Sequence, residues 1–390
     1  MNKYFFLMIT TVLVLFLSSC DQKTETKQRA EKVSHNQTKN TSLFHVDIDY
    51  AKGFTVESHN NYQRLIVHNP WGRNSNLGVY ILADAKYADS INLKEGERLI
   101  RLPINKVAIM SASNIGYFDL LNSLDKIAAL GDGQRLYNKH LRQRIELGSL
   151  KVLGNSATIN TEELIVCNCD VFLQTAFDSK NARDEALVNA GVPLVYNIDW
   201  MEKTPLARAE WIKFVGVLLN ENERADSIFK VIERNYINLK KIADSIDYKP
   251  DVLVGGLYKD VWYMPGGQSF KARLLADAGT DYLWKNDSTE GSLALSFETV
   301  LEKQMNAPIW IEVQFKSKKE LLSSDERYAY LDAFKIGAMY HNRKRSTETG
   351  GNDYWEMGLC RPDEILSDLI RIIHREYMPD GELKYYERVK

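Results

Sequence analysis

Short apolar runs recur from residue 107 onward, and each is followed by small or polar residues and then by a stretch with helical period. The run 107–110 leads through Ser111-Ala112-Ser113-Asn114 into a helical stretch over 117–124. The run 171–173 leads through 175–178 into a helix reaching Val188, with Gly191 suited to close it and 193–198 as the next strand. This strand–helix alternation predicts an α/β fold with mainly parallel sheets. Ahead of it, 54–57, 62–68 and 78–82 are β-rich, with Asn60-Asn61 as a turn signal, and read as a small antiparallel meander at the edge of the first lobe.

Residues 205–247 carry helical periodicity with one flaw. Trp211, Phe214, Val215, Leu218 and Leu219 keep the rhythm, Asn220-Glu221-Asn222 interrupts it, and Ala225, Ile228, Phe229, Ile232, Tyr236 and Leu239 resume it. Asn222 is the expected cap of a second helix of about 25 residues, roughly 37 Å long, which Lys249-Pro250 ends. After Pro250 the α/β pattern restarts, with strands at 252–254 and 309–313, a helix over 269–278 closed by Gly279, and a last amphipathic helix over 361–377 with Pro362 in its first turn. The two halves also look alike locally: Asn160 followed by Glu162 and Glu163, and Ser296 followed by Glu298, each open a helix that feeds a strand.

The N-terminus has its own pattern. Lys3 precedes an apolar stretch over 4–17, which ends in Leu17-Ser18-Ser19-Cys20. The stretch is short for a membrane span of roughly 20 residues and has the length of a signal core. The pattern resembles a bacterial lipobox, in which Cys20 becomes the lipidated first residue of the mature chain. Residues 21–42 are almost free of apolar side chains and cannot offset their chain entropy by burial. The expected organisation is a signal segment (1–19), a lipidated Cys20 with a flexible tether (20–42), an N-terminal α/β lobe (43–204), a helical spine (205–249) and a C-terminal α/β lobe (250–390).

Composition narrows the function class. A net charge of −2 gives no reason to expect nucleic acid. Cys167, Cys169 and Cys360 cannot all pair, and no Cys or His cluster forms a zinc pattern, so they read as buried free thiols. The chain has neither a GxSxG elbow nor HExxH, and its 7 His are scattered. Gly255-Gly256 and Gly266-Gly267 match no phosphate-cradling loop.

A lipid anchor, a tether, an α/β lobe, a long helix and a second α/β lobe resemble the class III substrate-binding proteins, the cobalamin-, haem- and siderophore-binding subunits of ABC importers. The resemblance spans roughly 45–385. Gly154-Asn155 with Asn160 and Glu163, Ser269-Phe270 with Ala278-Gly279, and Leu295-Ser296-Phe297-Glu298 are similar to family motifs. Trp200-Met201-Glu202 through Glu210-Trp211, and Gly351-Asn352-Asp353-Tyr354-Trp355-Glu356, resemble a Bacteroidetes-type lipoprotein branch. The resemblance implies a non-catalytic, monomeric protein on the periplasmic face of a membrane. It implies capture of a small metal chelate between two lobes and delivery to an ABC permease. No cofactor is expected, and iron or cobalt would belong to the ligand. Glu298 is the implied permease-docking acid of the second lobe, whereas the matching first-lobe loop 178–183 has no clear counterpart, Glu185 being near it.

Ligands of open α/β sheets bind beyond the carboxyl ends of the strands. The candidate cleft loops are therefore 111–116, Asn155-Ser156, 199–202, 255–267 and 341–355. The expected contacts are Ser113, Asn114, Trp200, Arg208, Tyr258, Trp262, Tyr263, Tyr340, Tyr354 and Trp355. Aromatic faces suit a large planar or catecholate ligand, and Arg343, Lys344 and Arg345 would add positive charge for an anionic chelate. A lipid-anchored envelope hydrolase and a bare ferric-ion-binding protein remain as alternatives.

Overall fold

The computed structural model describes residues 45–390 except 73–74, 156–157 and 179–181. The signal segment, Cys20, the tether and Ser156 lie outside the described residues, as do three residues of the loop 178–183. The fold is mixed α/β with parallel sheets, as the alternation predicts.

Strands β1 (Phe54–Ser58), β2 (Tyr62–His68) and β3 (Asn76–Asp84) form the expected antiparallel meander. A fourth strand, β4 (Glu97–Leu102), adds parallel to β3. Next come β5 (Val107–Ile109), β6 (Ile127–Leu130), β7 (Lys151–Val152), β8 (Val171–Thr175) and β9 (Leu194–Asn197). They make a parallel sheet in the order β7-β6-β5-β8-β9. Both β5 and β8 are buried at every position. Val107, Ile109, Val171 and Leu173 join one core, while Ala108 and Phe172 join another on the opposite face, which is why these strands read as unbroken apolar runs. The chain leaves β5 on one side and returns on the other, so the order reverses beside β5.

The C-terminal half repeats the theme. Its strands are β10 (Val252–Val254), β11 (Leu257–Tyr258), β12 (Val261–Pro265), β13 (Ser292–Leu295), β14 (Ile309–Ile311), β15 (Met339–His341) and β16 (Glu387–Arg388). β10, β14 and β15 are parallel, β16 closes that sheet antiparallel, and β11-β12-β13 form a separate antiparallel sheet.

Between the halves the helical run is divided into Pro205–Ala209, Trp211–Leu219 and Asn222–Asp244. Thr204 caps the first piece and Pro205 occupies its first turn. Asn220 ends the second in a left-handed conformation (φ 59°). The expected cap at Asn222 is corrected: Glu221 stands in that place, without a side-chain capping bond. Asn222 is buried, and its amide donates to Gln63 Oε1 of β2 at 3.3 Å. At 23 residues, the third helix is about 34 Å long. Its Ala225, Phe229 and Ile232 belong to the core of the N-terminal half, whereas Tyr236 and Ala243 belong to the core of the C-terminal half.

Two glutamates explain the Trp200–Trp211 motif. The backbone N–H groups of Asp49, Tyr50 and Ala51 donate to Glu210 at 2.7–3.0 Å. Those of Lys52 and Gly53 donate to Glu202 Oε1 at 3.0 and 2.9 Å, as does Trp211 Nε1–H at 2.9 Å. The segment entering β1 is thus pinned beneath the start of the helical run. The Gly351–Glu356 motif ties the halves together in the same way. Buried Glu356 accepts from the backbone N–H groups of Tyr137 and Asn138. A Cβ on Gly351 would lie 2.4–2.7 Å from the Leu136–Tyr137 backbone, and one on Gly116 2.4 Å from the Glu356 carbonyl oxygen. Only glycine permits this backbone-on-backbone approach. Among the described residues, no helix is long and apolar enough to cross a membrane.

Candidate functional site

A cavity of about 610 Å³ opens where the strand ends of the two halves meet. The N-terminal half contributes Trp71 and the residues after β9, chiefly Trp200. Trp200 lies tilted against Trp71, with ring centroids 6.4 Å apart, and against exposed Phe177 at 5.6 Å. Its Nε1–H donates to the Ala176 carbonyl at 3.0 Å, which fixes the indole plane. Facing it, the C-terminal half contributes Tyr263 on β12, Phe270 and Trp355. Gly255 follows β10 and Glu312 follows β14, so the cavity lies at the carboxyl ends of parallel strands, where open α/β sheets hold ligands. A second cavity, of about 670 Å³, adjoins it and shares Met201, Glu202, Lys203 and Glu290. Lys203 Nζ and Glu290 Oε1 meet at 2.5 Å where the two adjoin.

The polar side of the first cavity is a compact network. Helix Phe270–Asp277 begins at the cavity, with Ser269 as cap and Lys271 as its second residue. A cation at a helix N-terminus opposes the helix dipole, and here the Glu312 carboxylate compensates by pairing with Lys271. Lys271 Nζ also reaches Tyr354 OH at 2.5 Å, and Tyr354 OH donates to Glu312 Oε1 at 3.1 Å. Burial works to discharge Lys271, but Glu312 and Tyr354 outweigh it and raise its pKa. Glu312 has a left-handed backbone (φ 55°), a strained conformation for a residue with a Cβ.

A family model described as "Periplasmic binding protein" matches residues 107–345, from β5 through most of the C-terminal half. The chain belongs to the periplasmic binding protein family. The expected resemblance to the class III proteins therefore holds, and the fold agrees with it. Solved structures similar to this binding protein include a periplasmic haem-binding protein of Pseudomonas aeruginosa (14% identity, TM-score 0.55, covering 74% of this chain and 98% of that one). Nickel-bound CeuE of Helicobacter pylori is also similar (16%, 0.55, 75% and 91%). So is the vitamin B12-binding protein BtuF of Vibrio cholerae (13%, 0.50, 71% and 99%). At these identities the likeness speaks for the fold. Among curated sequences, an uncharacterized lipoprotein of Methanocaldococcus jannaschii is 25% identical over 297 residues (73% of this chain, 68% of that one). A second uncharacterized lipoprotein of the same organism is 23% identical and matches over the whole of both chains.

Of the expected contacts, Trp200, Tyr263 and Trp355 line the binding protein's cavity and are partly exposed. The others are placed elsewhere. Trp262 is fully buried in the C-terminal core, its Nε1–H donating to the Val254 carbonyl at 2.8 Å. Alternation along β12 sends it inward and its neighbour Tyr263 outward. Tyr354 is buried, and its OH is hydrogen-bonded to Lys271 and Glu312. Tyr340 sits within β15, paired with Ile311 and Arg388. Tyr258 projects from the β11–β12 hairpin, exposed and outside the cavity lining.

Ser113 and Asn114 lie where the halves pack together. The Ser113 carbonyl faces Cys360 Sγ at 3.9 Å, and Asn114 is fully buried. Arg208 is held by buried Asp199, Nε to Oδ2 at 3.1 Å, and Tyr117 OH meets the same oxygen at 3.2 Å. The expected positive cluster is also engaged away from the cavity. Arg343 donates to the Gln314 carbonyl, Lys344 to the Leu383 carbonyl, and Arg345 pairs with Asp353 at 2.6 Å.

Of the cavity's residues, Trp71, Lys271 and Glu312 were not singled out in the sequence, and Phe270 entered only through the Ser269-Phe270 motif. Two signals were available: a lysine just inside a capped helix start, and an acid directly after an apolar β-run.

Proposed function

We propose that this protein is the substrate-binding lipoprotein of an ABC importer. It captures a metal chelate between its two lobes and delivers it to the permease without catalysing a reaction. The observation that carries this reading is the aromatic cavity between the halves, at the carboxyl ends of parallel strands in a chain of the periplasmic binding protein family. Haem and vitamin B12 appear in the names of structural neighbours, and the flat faces of such ligands suit aromatic walls. The long helix supports limited closure, because a rod packed into both cores resists bending more than loops do. Among the described residues, no group of three or more His, Cys, Asp or Glu gathers as a metal site.

Anchoring through Cys20 on the periplasmic side agrees with the lipoprotein names of the curated relatives. Glu298 is the proposed docking acid: it is exposed at a helix start and pairs with Arg327 at 2.8 Å, a contact that a permease arginine would replace.

Tryptophan-fluorescence titration with haem, cobalamin, ferric citrate and ferric siderophores tests the capture role. Saturable quenching by at least one is expected. Absence of binding across the series, together with turnover of an ester or glycoside panel, would favour the hydrolase instead.

A further inference from the structure

The charge of the cavity indicates which chelates it takes. Among the described lining residues, Lys203 and Lys271 stand against Glu202, Glu290 and Glu312, with no arginine. Both lysines are already engaged, Lys203 by Glu290 and Lys271 by Glu312 and Tyr354. Arg208 lies behind the wall and is held by Asp199. Among the described lining residues of this cavity, no cation is therefore left without an acidic partner.

Glu312 is arranged differently from an acid that serves only as a counter-ion. Three donors converge on its Oε1: Lys271 Nζ, Tyr354 OH at 3.1 Å and Tyr386 OH at 3.1 Å. Its Oε2 has no hydrogen-bond partner among the described residues, and the side chain borders the cavity while largely desolvated (16% exposed). The left-handed backbone at Glu312 (φ 55°) is the kind of local strain that persists where the surroundings hold a group in a set position. Oε1 is anchored, and Oε2 is left as an acceptor without a described donor, on a side chain that lines the same cavity as Phe270 and Trp355.

We infer that Glu312 reads a hydrogen-bond donor on the captured chelate and that the cleft selects neutral or cationic chelates over anionic ones. This rests on the capture reading above. A charged donor would gain a charge-assisted bond, whereas an anion would meet a partly desolvated carboxylate.

The test is a fluorescence titration of the full chain with ferrioxamine B (cationic), ferrichrome and cyanocobalamin (neutral), and haem and ferric enterobactin (anionic). A neutral or cationic chelate should bind about 10-fold or more tighter than either anion. Glu312→Gln should shrink that ratio by about 10-fold, weakening the favoured chelate and not the anions. Because this change leaves Lys271 without its acid, Lys271→Met/Glu312→Gln is measured beside it, with thermal unfolding to confirm folding, and should show the same loss of selectivity. Tighter binding of an anion would overturn the inference and leave capture intact, as would equal weakening of every chelate by Glu312→Gln. Failure of every chelate to bind would overturn the capture reading itself.

Discussion

Replacing Gly351 with alanine adds one methyl group where two backbones already touch. The new Cβ would stand 2.4 Å from the Leu136 carbonyl carbon, 2.5 Å from its oxygen and 2.7 Å from Tyr137 N, where ordinary contact begins at 3.4 Å. These are main-chain atoms and cannot swing aside as a flexible side chain would, so the contact must open by about 1 Å, and overpacking of this kind costs about 1–3 kcal/mol. The strand of chain displaced is the one whose Tyr137 and Asn138 N–H groups satisfy buried Glu356, and loosening those bonds adds about 1–3 kcal/mol. A loss of about 2–6 kcal/mol is therefore expected. Urea unfolding followed by tryptophan fluorescence would show it as a midpoint lowered by about 0.7–2 M, for an m-value near 3 kcal/mol/M. Gly291→Ala serves as the control, since its Cβ would meet nothing within 4 Å. If Gly351→Ala unfolds at the wild-type midpoint, the two halves do not rest on this contact and the account of the motif is wrong.

Three further outcomes follow from the geometry. Trp200→Ala and Trp355→Ala should each weaken chelate binding by about 10-fold or more with little change in the urea midpoint, because both rings are partly exposed on the cavity wall; unchanged binding in both variants would remove the aromatic wall from the recognition surface. Arg208→Met should destabilise the fold by about 3–5 kcal/mol, because it strands buried Asp199; a variant of wild-type stability that has lost ligand affinity would return Arg208 to the cleft. Glu356 has its pKa raised from 4.5 to about 7, chiefly by burial. The folded state holds this proton more tightly than the unfolded state, so the stability it contributes is complete below pH 4.5 and is lost as pH rises through about 7. That loss is on the order of 3 kcal/mol. Glu356→Gln should therefore flatten the stability–pH curve across that window relative to wild type, and identical curves for the two proteins would refute the assignment.

The sequence-readable part of the fold is the part governed by local rules. The apolar runs at β5, β8 and β10, the Asn160 and Ser296 caps, the left turn at Gly191 and the break before the long helix are all set within a few residues of where they occur. Where two side chains compete for one local role, the outcome depended on a distant partner. Asn222 is a good cap by type, yet Gln63, 159 positions earlier, draws its side chain inward.

The candidate site divides along the same line. That Trp200, Tyr263 and Trp355 sit near strand ends is legible from chain order, because parallel sheets place their binding loops at one edge. Whether a neighbouring aromatic faces the gap or the core is decided by strand parity and packing, and this separates Tyr263 from Trp262 and Trp355 from Tyr354. Charge was the least legible quantity. Arg208, Arg343 and Arg345 looked free in the sequence, but each found a partner once the chain closed. A pairing energy depends on separation in space, and the separation of Lys271 from Glu312 is fixed by the approach of a helix start to a strand end 41 residues away. Local chemistry thus determined the elements and their order, and the tertiary structure alone determined which charges remain to meet a ligand.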